Sequence, residues 1–241
     1  MSKEQKQRAK ERENRRQLVG ENLSFEASEA YKLLRTNLTL SLPAGEGACR
    51  LIGITSSVLG EGKSTTAINL AYSLGRGRKK VLLLEADLRK PVLRDAFKLP
   101  RGRGLSNLLT GGCDFKEAIT MNVFHPSVGV LPAGDIPPNP AELLNSTPMK
   151  TVLDTVSQIF DYIIVDLPPV TVVSDALAMA NKLDGMIVVV RKDYCDQRAL
   201  AETMRRLDQV KAKVLGFVMT HADDTEKKYK KYGYGYGYGK S

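Results

Sequence analysis

At 241 residues with 42% hydrophobic content, the chain suits one α/β domain with appendages, long enough for a full central sheet. No stretch approaches the roughly 20 apolar residues needed to span a bilayer, and Met1-Ser2-Lys3-Glu4-Gln5 lacks the apolar core of a secretion signal, so secretion is not expected. The net charge of +9 belongs to the ends, +4 on residues 1–16 and +2 on residues 222–241, so no nucleic-acid-binding face is expected on the core.

Basic ends favour an anionic membrane surface or an acidic partner. Cys49, Cys113 and Cys195 are widely spaced and match no zinc or CxxC pattern, which points to a reducing compartment. Residues 1–20 form a basic leader. From Ser24 the spacing of Phe25, Ala27, Ala30, Tyr31, Leu34 and Leu38 predicts an amphipathic helix, capped by Ser24 or Ser28. Residues 42–47 read as a linker, and 21–221 as the catalytic domain.

The apolar run Leu51-Ile52-Gly53-Ile54 predicts a strand, and Ala67 to Leu74 a helix that Gly75 should end. Between them lies Ser57-Val58-Leu59-Gly60-Glu61-Gly62-Lys63-Ser64-Thr65, a phosphate-binding loop in which Ser57 replaces the first glycine. Gly60, Glu61, Gly62, Lys63, Ser64 and Thr65 are the candidate nucleotide-binding residues. Gly60 and Gly62 let backbone N–H groups turn toward phosphate oxygens, and the helix N-terminus adds a favourable dipole. Lys63 supplies a cation for the β- and γ-phosphates, and the Ser64 hydroxyl suits Mg²⁺.

Val81 to Glu85 is continuously apolar up to its last residue, the pattern of a strand buried on both faces. Further strands are predicted at 128–131, 162–165, 186–190 and 214–219, with helices at 149–160 and 196–210. The alternation predicts a doubly wound, mostly parallel α/β sheet that binds ligands at the carboxyl ends of its strands. Glu85, Asp87 and Asp166 lie at such ends and should converge on the loop. Asp87 and Asp166, with Ser64, are the candidate Mg²⁺ ligands. Residues 222–241 hold Tyr229, Tyr232, Tyr234, Tyr236 and Tyr238, most alternating with glycine. Their backbone freedom predicts disorder, and each phenol stays open to a catalyst.

On these motifs the chain resembles the bacterial tyrosine kinases of capsule and exopolysaccharide synthesis, in their cytoplasmic Gram-positive form. Besides the phosphate loop, the resemblance rests on Glu85-Ala86-Asp87-Leu88-Arg89-Lys90-Pro91, Asp166-Leu167-Pro168-Pro169-Val170, residues 134–144 and the tyrosine tail. The family usually carries Pro at the place of Leu59 and an aspartate at that of Glu85. Its E-x-x-R-x-x-R oligomerisation helix is matched by Glu29, Lys32 and Arg35, and Lys32 lacks the bidentate fork of arginine.

The resemblance implies a P-loop fold like that of MinD and ParA and ATP- and Mg²⁺-dependent autophosphorylation of the tail between subunits of a ring-shaped homo-oligomer. It also implies a transmembrane activator or polysaccharide co-polymerase partner, a cognate tyrosine phosphatase, and recruitment to the inner face of the membrane. Lys63, Glu85, Asp87 and Asp166 are the catalytic candidates, with Glu85 or Asp87 as the base that assists the phenol. Two rivals stand beside this reading. A ParA/MinD-type positioning ATPase would carry a further lysine where Val58 stands. An ATP-binding scaffold would have its tail modified by another kinase.

Overall fold

The structure, a computed structural model, describes residues 19–42, 48–100 and 102–222. The leader as far as residue 18, most of the expected linker, and the tail tyrosines Tyr229, Tyr232, Tyr234, Tyr236 and Tyr238 lie outside the described residues.

Strands buried on both faces need cover on both, and the chain supplies it. After a short 3-10 turn at Gly20–Asn22 come α1 (Phe25–Ser41), β1 (Arg50–Ser56), α2 (Lys63–Arg76), β2 (Val81–Glu85), α3 (Leu93–Ala96), α4 (Leu105–Leu109) and α5 (Phe115–Ala118). There follow β3 (Thr120–Met121), β4 (Val128–Leu131), α6 (Pro140–Asn145), α7 (Thr147–Ser157), β5 (Tyr162–Asp166), α8 (Asp175–Ala180), β6 (Gly185–Arg191), α9 (Gln197–Gln209) and β7 (Val214–Thr220). The strands form one seven-stranded sheet in the order β3-β4-β2-β5-β1-β6-β7. Every pair is parallel except β3 with β4. The expected doubly wound sheet is present. No helix among the described residues is long and apolar enough to cross a membrane.

Alternate side chains of each strand enter two cores. Ile52, Ile54, Leu83 and Ile164 meet Ala67, Leu70, Ala71 and Leu74 of α2 and Leu38 of α1. On the other face Leu82, Leu84, Ile163 and Val165 meet Leu105, Leu144, Met149, Val156 and Leu207. The β-branched and leucine side chains suit this fully buried, pleated surface.

Three expectations change. Helix α2 starts four residues before Ala67 and runs through Gly75. That glycine is kept for contact: a Cβ there would lie 2.9 Å from both His125 and Val128. Phe25, placed by spacing on the inner helix face, is 67% exposed, because Ser24 caps the helix and leaves Phe25 in its first, uncovered turn. The short helices α3 to α6 and α8 and the antiparallel β3 are additions that periodicity did not show, being under two turns long.

Candidate active site

β1, β5 and β2 are neighbours in the sheet; β2 and β5 end level with one another, and β1 runs two residues further. Asp166 pairs in register with Ile54 on one side and Glu85 on the other. The phosphate loop leaves β1, Asp87 leaves β2, and Asp166 ends β5. Strand order thus brings together Lys63 and Asp166, 103 positions apart in the chain.

The loop itself is braced from three directions. Gly60 and Gly62 take φ of +84° and +93°, left-handed values that a Cβ would strain. Gly62 caps α2 and accepts the N–H of Thr66 at 2.9 Å. The Glu61 carboxylate is buried and turned into the loop, accepting the N–H of Val58 at 2.7 Å and of Arg191 at 3.3 Å. The Thr220 hydroxyl donates to the Glu61 carbonyl at 2.8 Å, and Thr171 donates to the Ser57 carbonyl at 2.6 Å. Glu61 therefore shapes the cradle with its side chain. Ser64 and Thr65, half-buried, open the first turn of α2.

Lys63 is the centre of the charge arrangement. Its Nζ lies 3.0 Å from Asp87 Oδ2 and 3.4 Å from Asp166 Oδ1, with all three side chains nearly or fully buried. Burial works against the Lys63 charge, but Asp166 and Asp87 outweigh it and hold the ammonium above its usual range. Burial pushes the Asp166 carboxyl up, against the pull of Lys63. Asp166 Oδ2 is buried without a hydrogen-bond partner. Asp87 Oδ1 accepts the Lys90 N–H at 3.0 Å, which fixes the turn after β2.

A cation already stands between the two aspartates in the form of the Lys63 ammonium, and a buried carboxylate oxygen is left over. The donors are hard oxygens. Among the described residues no group of three or more His, Cys, Asp or Glu gathers as a metal site. The oxygens of Ser64, Asp87 and Asp166 are of the kind Mg²⁺ takes, a few protein oxygens with water and phosphate filling its shell.

Glu85, at the end of β2, is held by backbone hydrogen bonds. Its Oε1 accepts the N–H groups of Val92 and Leu93, the latter at 2.8 Å, and its Oε2 accepts that of Ala133 at 3.0 Å. It is fully buried, and burial lifts its pKa to about 7 against those three backbone bonds. Of the two candidate bases, Glu85 or Asp87, Glu85 has its oxygens engaged in these three bonds, which clamp two rim segments together.

Sequence reasoning missed one pair. Arg89 forks onto the buried Asp175 at the start of α8, Nε to Oδ2 at 2.9 Å and Nη2 to Oδ1 at 3.0 Å. Arg89 stood in a quoted motif, but its partner lies 86 residues away with no local signal. The fork ties the Asp87 turn to the segment that follows Asp166. Asp175→Asn keeps the shape and loses the charge; the urea midpoint should fall by an equivalent of about 1–2 kcal/mol.

Glu29, Lys32 and Arg35 share one side of α1. Lys32 Nζ lies 2.5 Å from Glu29 Oε1, and Arg35 Nη1 donates to the Ser73 carbonyl at 2.6 Å. Lys32 and Arg35 also line a cavity of about 280 Å³ between α1 and α2. Arg35 thus fastens α1 to α2 within the chain.

Residues 49–217 match the family described as the AAA domain. The chain is 38% identical over 193 residues to the tyrosine-protein kinase YwqD of Bacillus subtilis, covering 80% of each. It is 34% identical to the tyrosine-protein kinase CpsD of Streptococcus agalactiae, covering 85% of this chain and 88% of that one. The kinase domain of the Escherichia coli tyrosine kinase ETK superposes with a TM-score of 0.75 at 29% identity, over 80% of this chain and 74% of that one.

Proposed function

The chain belongs to the bacterial tyrosine kinases, and from that premise we propose that it transfers the γ-phosphoryl group of ATP to tyrosines, foremost Tyr229, Tyr232, Tyr234, Tyr236 and Tyr238 of its own tail. The observation that carries the reading is Lys63 held between Asp87 and Asp166 at the mouth of a glycine-hinged phosphate loop.

Backbone N–H groups of residues 60–64 hold the β- and γ-phosphates at the N-terminus of α2. Lys63 turns from the aspartates to the triphosphate and neutralises charge on the transferred group. Ser64, Asp87 and Asp166 would hold magnesium, directly or through water, and it would supply further positive charge against the phosphate oxygens. The phenol, with a pKa of about 10, is a weak nucleophile at neutral pH. With Lys63 drawn away, Asp87 Oδ2 loses the cation 3.0 Å from it and is the oxygen to which we assign the phenol proton. The phenol oxygen then bonds to the γ-phosphorus, the bond to the bridging oxygen breaks, and ADP leaves.

The same reading includes a ring of subunits meeting through α1, a membrane-bound activator, a cognate phosphatase, recruitment to the inner membrane face and control of polysaccharide synthesis and export. Val58 stands where a ParA/MinD-type ATPase would carry a lysine, which speaks against that rival.

Purified protein given ATP and Mg²⁺, with the activator's cytoplasmic segment supplied, should accumulate phosphotyrosine in residues 222–241, read by mass spectrometry. Lys63→Met should lower the yield by about 10²-fold or more, the scale of losing one preorganised charge. ATP hydrolysis without phosphotyrosine would overturn the reading.

A further inference from the structure

β7 closes one side of the sheet, and no described strand pairs with its outer edge. Its inner side bonds β6, with the Thr220 carbonyl accepting the Lys192 N–H at 3.1 Å. Backbone groups of successive strand residues point to opposite sides, so Phe217 and Met219 direct theirs outward. The same two side chains share one face, opposite Val188 and Val190 of β6, and are 55% and 61% exposed. An edge with open backbone groups and bare apolar side chains is a template for another strand. No charge or proline blunts it within Val214–Thr220.

The chain itself holds a matching segment. Residues 232–238 read Tyr-Gly-Tyr-Gly-Tyr-Gly-Tyr, seven residues against the seven of β7. Extended, this alternation puts all four tyrosine rings on one face and bare glycines on the other. Residues 221–231 join the two stretches, enough chain for an antiparallel return.

We propose that residues 232–238 of the same chain dock antiparallel on the outer edge of β7 as an eighth strand, their rings covering Phe217 and Met219. The inference rests on the tail being the kinase's substrate, and says where that substrate waits. Tyrosine suits a strand and stacks against methionine sulfur, while the glycines weaken the pairing, so docking is shallow and reversible. The end of β7 touches the phosphate loop through Thr220 and Glu61. An antiparallel tail therefore runs away from the catalytic aspartates, withholding its tyrosines until it detaches. Each phosphate adds about −1.5 to −2 charges, which an apolar face cannot accept, so a phosphorylated tail stays off.

The test uses the full chain without nucleotide, so that no phosphoryl transfer enters it. Amide hydrogen exchange of Phe217 and Met219 is followed by NMR in the unaltered protein and in Gly235→Pro. Proline cannot donate to the ladder, and its place in the tail spares the folded body. Exchange at those two amides should be at least about tenfold faster in Gly235→Pro, with β6 amides unchanged. Fully tyrosine-phosphorylated protein should match the variant. Equal rates in both proteins overturn the proposal. So does protection that persists in Gly235→Pro and grows with protein concentration, which would mark a second copy on the edge. Either failure leaves the phosphotyrosine assay, and the kinase reading, standing.

Discussion

Asp87→Asn should lower the rate of tyrosine phosphorylation by about 10²–10⁴-fold, the usual weight of a positioned proton acceptor. The substitution is mild for the fold. An asparagine carbonyl can still accept the Lys90 N–H that Asp87 Oδ1 now accepts at 3.0 Å, so the turn after β2 persists. What disappears is the charged oxygen 3.0 Å from Lys63, leaving Asp166 as its carboxylate partner. The loss should fall on kcat, with the half-saturating ATP concentration moving less than about tenfold, since backbone groups and Lys63 still grip the phosphates. Steady-state phosphorylation and direct ATP titration separate the two. An Asp87→Asn protein with near-normal turnover, or one that merely fails to bind ATP, would remove Asp87 from the proton-accepting role.

Glu85 should behave as a structural group with a pH signature. Glu85→Ala leaves the N–H groups of Val92, Leu93 and Ala133 without their acceptor, and should cost about 3–5 kcal/mol of unfolding free energy. The sign of the pH effect follows from the raised pKa. Between its ordinary value of 4.5 and about 7 the folded protein binds a proton that the unfolded chain has released. This contribution to stability is complete below the lower value and is lost as pH rises through the upper one, on the order of 3 kcal/mol in all. Urea unfolding in magnesium-free buffer at about pH 5 and about pH 8 should show the decline, and Glu85→Gln should flatten it. A slope unchanged in the variant would assign the effect elsewhere, Asp166 being the nearest alternative.

The contrast between these two acids shows how far the chain could be read unaided. Apolar runs ending in an acid, as at Val81 to Glu85 and Tyr162 to Asp166, announce buried parallel strands and put their carboxylates at the ligand end. The meeting of Lys63, Asp87 and Asp166 was legible for that reason. Spacing cannot say which way a side chain turns once it arrives. Glu85 looked equivalent to Asp87, yet one methylene more and a neighbouring segment rich in free N–H groups draw it into the scaffold. Glu61 and the Arg89–Asp175 fork were hidden for a related cause: their partners come from β6 and α8, brought near by the sheet. Gly75 misled because a glycine within a helix can serve close packing as well as termination.

The helix that begins at Lys63 is pinned at its far end. Arg35 holds the Ser73 carbonyl, and the Ser73 hydroxyl donates to the Tyr31 carbonyl at 3.2 Å. From Ser73 to Lys63 the helix is about 15 Å long, so rocking it by about 4° about that anchorage displaces its tip by about 1 Å. Misplacement on that scale slows a reaction by about 10²-fold. Whatever presses on α1 from outside is thereby geared to the lysine that meets the triphosphate, with no need for the two places to touch.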